Sequence, residues 1–114
     1  MNKIEKYFRL AKQVAENGKA LRQYRLGAVG IRSDGVIVTA TNIPCQCPQE
    51  SAHAEARLAR KLDRGATVFV VRILRCGALA PARPCMNCQA ALWRRGVKRV
   101  YYSIANSEYG VINL

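Results

Sequence analysis

Thr67-Val68-Phe69-Val70-Val71-Arg72-Ile73-Leu74 is the most strand-like run in the chain, dense in β-branched and aromatic residues, and it reads as the central strand of a sheet. The elements on either side follow from periodicity. Upstream, Ile4, Tyr7, Phe8, Ala11, Val14 and Ala15 recur at helical spacing and Gly18 offers a stop, so a first amphipathic helix is expected over about residues 2 to 17. Two short apolar runs, Ala28 to Ile31 and Val36 to Ala40, flank the turn signal Ser33-Asp34-Gly35 and read as an antiparallel hairpin. Asn42 to Gln49 contains two prolines and a Cys-x-Cys, which suits an irregular loop. A second helix is expected from near Ser51 to Gly65, with Ala54, Leu58 and Leu62 on its buried stripe and Arg57, Arg60, Lys61 and Arg64 on its other side. Downstream of the central strand, a loop leads to Cys85, a third helix runs to about Arg95 and ends at Gly96, and Val97 to Ser103 is a further strand. Helix, two strands, helix, strand, helix, strand is the order of an α/β sandwich with a mixed sheet. No repeat, low-complexity tract or linker interrupts it, so residues 1–114 are expected to form a single domain.

Half of the 114 residues are hydrophobic, enough for a core without disulfide staples. No apolar run approaches the roughly 20 residues that span a bilayer. Met1-Asn2-Lys3-Ile4-Glu5-Lys6 lacks the apolar stretch of a secretory signal, so a cytoplasmic location and no membrane partner are expected. In that reducing setting, five cysteines read as metal ligands or buried thiols rather than as disulfides. Nineteen Lys and Arg against seven Asp and Glu give a net charge of +12, an excess that attracts polyanions and phosphorylated ligands.

The chemistry is concentrated at two short motifs, His53-Ala54-Glu55 and Pro84-Cys85-Met86-Asn87-Cys88, each at a helix start. One imidazole and two thiolates make three ligands, the number found in catalytic zinc sites that keep a fourth position for water. Cys85 and Cys88, three apart in one helical turn, can reach a single ion, and the positive end of the helix favours their thiolates. His53 and Glu55 stand about 160° apart on an ideal helical wheel, so they share a site only if it lies beyond the helix N-terminus.

This His-x-Glu with Pro-Cys-x-x-Cys is the signature of zinc nucleobase deaminases. From Gly27 to about Ser103 the chain resembles the cytidine deaminase-like superfamily, and within it the deoxycytidylate and tRNA-adenosine deaminase branch, because nucleoside cytidine deaminases usually carry Cys where this chain has His53. Its overall look is similar to short deaminase-like proteins of bacteriophages. The resemblance implies a three-layer α/β/α cytidine deaminase-like sandwich with a mixed central sheet. It also implies one zinc per chain on His53, Cys85 and Cys88, with Glu55 as the catalytic proton carrier. Zinc lowers the pKa of a bound water from about 16 toward about 7. Glu55 would take the water proton, pass it to the ring nitrogen beside the amine-bearing carbon, and protonate the departing ammonia. By the same resemblance Asn42 bonds the sugar, the Ala54 and Cys88 backbone lines the pocket, and Arg25 and Leu26 belong to the pocket floor. Tyr24 and Arg25 are placed to close over the base or phosphate. The family commonly forms dimers or larger assemblies, so a homo-oligomer is expected.

Several alternatives stand beside this reading. The substrate implied first is a free cytosine nucleoside or nucleotide, deoxycytidylate-like; the second is cytosine or adenine within single-stranded DNA or RNA, which the positive charge favours. Cys45-Gln46-Cys47 with Cys85 and Cys88 would alternatively make a structural four-cysteine zinc site in a non-catalytic module. Cys45, Cys47 and Cys76 are candidates for a second metal, or for free or buried thiols. Tyr101 and Tyr102 point to opposite sides of their strand, so only one reaches the pocket. Two basic groups, Arg57, Arg60, Lys61 and Arg64, and Arg94, Arg95, Lys98 and Arg99, are candidates for following a polynucleotide backbone.

Overall fold

The computed structural model describes residues 3–17, 25–41, 54–74 and 76–114. The amphipathic N-terminal pattern forms helix α1 (Lys3–Glu16), burying Phe8, Ala11 and Ala15. Strands β1 (Arg25–Ile31) and β2 (Ile37–Thr41) pair antiparallel across the Ser33-Asp34-Gly35 turn. Helix α2 (Ala54–Ala59) precedes the central strand β3 (Thr67–Ile73), which pairs antiparallel with β1 and parallel with β5 (Arg99–Ala105). A two-residue strand, β4 (Leu79–Ala80), pairs with the end of β3, and helix α3 (Met86–Arg94) then crosses back to β5. Strand β6 (Glu108–Asn113) closes the edge, giving a mixed sheet of order β2-β1-β3-β5-β6.

Period-two alternation along β3 places Val68 and Val70 on one face and Phe69, Val71 and Ile73 on the other. The first set packs with Ala28, Val100, Leu58 of α2 and Leu92 of α3; the second packs with Val29 and with Phe8, Ala11 and Ala15 of α1. The result is the expected α/β/α sandwich, with α1 on one face and α2 and α3 on the other. The α1 layer lies unusually near the sheet because small residues meet there. A Cβ on Gly27 would collide with the carbonyl oxygen of Ala11 and stand 2.6 Å from the backbone nitrogen of Ala15.

Four details differ from the expectation drawn on sequence. Helix α2 ends at Ala59, not near Gly65: the i→i+3 bonds Lys61 N–H to Leu58 O (2.8 Å) and Leu62 N–H to Ala59 O (3.2 Å) tighten the chain into a turn. Leu62 is still buried, because that turn folds its side chain onto the same core as Leu58. The basic residues 57, 60, 61 and 64 therefore do not form one helical face; Arg57 alone lies on α2. Strand β1 starts at Arg25, three residues earlier than its apolar run, because β3 supplies partners as far as Arg25 opposite Ile73. Strand β5 runs on to Ala105 rather than stopping at Ser103, because β6 pairs with it as far as Ala105 opposite Glu108. Strands β4 and β6 complete the sheet; β4 is too short to carry a periodic signal, and β6 is half-exposed at the sheet edge.

Candidate active site

Glu55, Cys85 and Cys88 converge where α2 and α3 begin. Glu55 occupies the first turn of α2 and is 4% exposed. Cys85 is the N-cap of α3, with extended backbone (φ −65°, ψ 165°), and its carbonyl accepts the first bond of the helix from Gln89 N–H at 2.9 Å. The Gln89 side chain also donates to Pro84 O at 2.8 Å, holding the Pro-Cys entry in place. Cys85 is exposed, whereas Cys88, one turn on, is fully buried. Burial pushes the Cys88 thiol well above its ordinary range, the charge of the adjacent Glu55 carboxylate pushes it further, and hydrogen bonding with Cys85 adds to the effect. Hydrogen bonding requires contact, and both Cys85 and Glu55 take part in it, so each of them lies beside Cys88.

The donor chemistry fits zinc: two thiols a helical turn apart, one buried and one open to solvent, beside a carboxylate and at a helix N-terminus. Among the described residues no set of three metal-ligating side chains is assembled. His53, expected as the third ligand, lies outside the described residues, immediately before α2. Asn42, Tyr24, Cys45 and Cys47 also lie outside them. Cys76 is exposed in the turn before β4, on a segment separate from the Cys85–Cys88 pair.

The remaining named residues divide between the two faces of the sheet. Ala54 is fully buried in the core beneath α2, and Leu26 packs against the same core, on the side of the thiols. Arg25 shares the α1 side with Gly27, and its Nη1 donates to Glu16 O at 2.8 Å at the end of α1. Tyr101 also faces α1, stacked on Phe69 at 4.7 Å between centroids, which leaves Tyr102 as the tyrosine on the α2/α3 side.

Sequence reasoning passed over Arg83, two residues before Cys85. Its guanidinium lies 5.7 Å from the centre of the Tyr102 ring and donates to the phenol oxygen at 3.2 Å. Nothing in the local Ala-Arg-Pro pattern signals this, since Tyr102 is nineteen positions away. Arg57 is likewise a strut: its Nη1 donates to Thr41 O at 2.8 Å, tying α2 to the end of β2 just before Asn42.

Residues 1–104 match the family model described as the cytidine and deoxycytidylate deaminase zinc-binding region. The chain belongs to this deaminase family. Solved structures agree in fold. Cytidine deaminase from Burkholderia pseudomallei superposes with a TM-score of 0.71 at 20% identity, covering 99% of this chain and 93% of that one. The Mycobacterium leprae cytidine deaminase gives 0.65 at 20% identity, over 99% and 94% of the two chains. The Mycobacterium tuberculosis enzyme gives 0.60 at 18% identity, over 90% and 85%. No curated protein matches the chain in sequence. Membership accounts for the mixed sheet flanked by helices and for a zinc-binding region within the matched residues. Among the described residues no helix is long and apolar enough to cross a membrane.

Proposed function

We propose that residues 1–114 form one zinc-dependent hydrolytic deaminase domain that converts the exocyclic amine of a free cytosine nucleoside or nucleotide, of deoxycytidylate type, to a carbonyl with release of ammonia. The observation that carries this reading is the convergence of buried Glu55 with Cys85 and Cys88 at the starts of α2 and α3, in a chain of the deaminase family. His53, Cys85 and Cys88 would hold one zinc. Zinc, when bound, makes water acidic enough to serve as a nucleophile at neutral pH.

The chain's own residues supply the rest. Glu55 accepts the proton of the attacking water on a carboxylate oxygen and delivers it to the ring nitrogen next to the amine-bearing carbon. It then takes the remaining proton from the hydroxyl now bonded to that carbon and gives it to the amine, so that the C–N bond breaks, ammonia leaves and the carbonyl forms. Burial excludes bulk water from Glu55, which keeps each transfer between the carboxylate and the substrate. Leu26 would pack on the base, with Ala54 contributing backbone rather than side chain, and Asn42 would bond the sugar. Arg25 would act from the α1 side, by holding the start of β1. We expect a cytoplasmic homo-oligomer in which neighbouring chains help to close the pocket.

The test is metal analysis of protein purified without chelator, followed by ammonia release from a panel of cytosine and adenine nucleosides, nucleotides and oligonucleotides. One zinc per chain and turnover of a monomeric cytosine substrate are expected. Absence of zinc, or no turnover of any cytosine compound by zinc-loaded protein, would overturn the proposal.

A further inference from the structure

The two basic groups of the sequence become one surface. The turn that ends α2 and the turn that ends α3 lie against each other: Gly65 N–H donates to Gly96 O at 2.7 Å, and Lys98 N–H to Ala66 O at 2.9 Å. Arg64 lies across Gly96, where an added Cβ would stand 2.9 Å from the Arg64 Cα; Gly96 also has φ +84°. The approach therefore needs glycine on both counts. Arg95 reaches over the seam, its Nε donating to Ala59 O at 2.7 Å and its Nη2 to Arg60 O at 2.6 Å. Arg95 is thus committed to the last carbonyls of α2, and Lys61 to Thr39 O at 2.6 Å.

Arg60, Arg64, Arg94 and Lys98 are not so committed. All four are exposed, and among the described residues none is in a salt bridge or a side-chain hydrogen bond. Of the seven acidic residues in the chain, Asp63 alone belongs to either segment, and both its carboxylate oxygens are held by Ser33. Asp63 stays ionised and is the single carboxylate of the two segments, so the patch keeps a net positive charge and concentrates anions.

An aromatic side chain adjoins Arg94, about 160° around α3 from Arg95 and so on the side away from α2. Trp93 directly precedes Arg94 in the last turn of α3 and is 65% exposed, although indole rings are usually well buried. Met86, 85% exposed beside Cys85, lies on the same stripe of α3, about 20° from Trp93 around the helix and about 10 Å along its axis. Phosphates find uncommitted cations here, and an unstacked base finds a planar π-face, the pairing that single-stranded nucleic acid uses on proteins. A second copy of this chain fits the patch worse, because it would bring another chain of net charge +12 against it.

We infer that the surface formed by Arg60, Arg64, Arg94 and Lys98, with Trp93 beside Arg94 at its edge, binds single-stranded nucleic acid, at the end of α2 and α3 opposite the thiol cluster. It goes beyond the deaminase reading and stands apart from it: Arg94 is about 13 Å along α3 from Cys85, so the patch and the candidate catalytic groups are separable by substitution.

Trp93 is the only tryptophan in the sequence, which makes its emission a direct reporter. Oligothymidylate and oligouridylate of about 12 nucleotides are titrated into the zinc-loaded protein while both indole emission and the anisotropy of a labelled oligonucleotide are followed. Quenching should track binding, and the DNA and RNA arms show which backbone is preferred. With four cations engaged, a single-strand slope of about −0.7 per contact makes affinity fall about 50-fold between 50 and 200 mM salt. Arg94→Glu with Lys98→Glu should weaken binding at least tenfold and flatten the salt dependence, and Trp93→Ala should weaken it about tenfold, the size of one lost base stack. Both variants should keep cytidine turnover, whereas Glu55→Gln should keep binding; binding and catalysis then fail independently. Oligonucleotide bound without quenching, unchanged affinity in the charge-reversed protein, or polyglutamate bound as tightly would each overturn the inference. So would light scattering with acrylamide quenching that shows Trp93 buried between two copies of the chain.

Discussion

Replacing Glu55 by Gln is the sharpest probe of the proposed chemistry. The amide has the shape of the carboxylate and fits the same buried position in the first turn of α2, but it cannot accept and return a proton. General acid–base catalysis by one positioned group contributes roughly 10²- to 10⁴-fold, about 3 to 5 kcal/mol of barrier. Because Glu55 is only 4% exposed, bulk water cannot substitute as base, and the loss should fall at the upper end of that range. Folding should not suffer, since a neutral amide removes the desolvation cost of a buried charge. Cys85 and Cys88 are untouched, so zinc should be retained. The assay is ammonia release from cytidine and deoxycytidylate by parent and variant at matched zinc content, alongside a thermal melt. Turnover within about tenfold of the parent, with zinc and melting temperature unchanged, would refute Glu55 as the proton carrier.

Cys88→Ala and His53→Ala should each lose zinc on dialysis as well as activity, because three ligands become two; metal analysis of the dialysed proteins checks this. Gly27→Val should lower stability by about 1 to 3 kcal/mol or more, since its side chain must displace the α1 backbone at Ala11 and Ala15; urea denaturation reads the change. Asp63 is held below its ordinary pKa of 3.8, chiefly by the Ser33 hydroxyl and then by the Ser33 N–H. A folded-state value below the unfolded one means that its contribution is present above pH 3.8 and is lost as pH falls through the lowered value. Asp63→Asn should therefore remove a small part of the acid sensitivity of the melting temperature below pH 3.8, and identical profiles for the two proteins would contradict this. Light scattering at assay concentration should report an oligomer, and a strict monomer would remove the proposal that neighbouring chains close the pocket.

Features written in neighbouring residues could be read without coordinates. The apolar run of β3, the 3.6-residue period of α1, and the hairpin around Ser33-Asp34-Gly35 each depend on contacts within a few positions, so their patterns survive in the sequence. The Cys85–Cys88 pair and Glu55 belong to this class too, because one helical turn and one helix start define them. What depends on distant segments could not be read that way. Helix α2 stops at Ala59 because Asp63 is drawn to Ser33, thirty positions away, and the turn before it tightens. The edge strand β6 exists only because β5 offers it a partner. The face taken by each of Arg25, Tyr101 and Tyr102 depends on which helix covers which side of the sheet. Two basic runs some thirty residues apart merge into one patch because Arg95 and the Gly65–Gly96 contact bring the ends of α2 and α3 together. Local periodicity specifies the elements, since it acts through the backbone of adjacent residues. Their juxtaposition, and with it the charge and aromatic surface at the end of α3, arises only when the sheet buries both its faces.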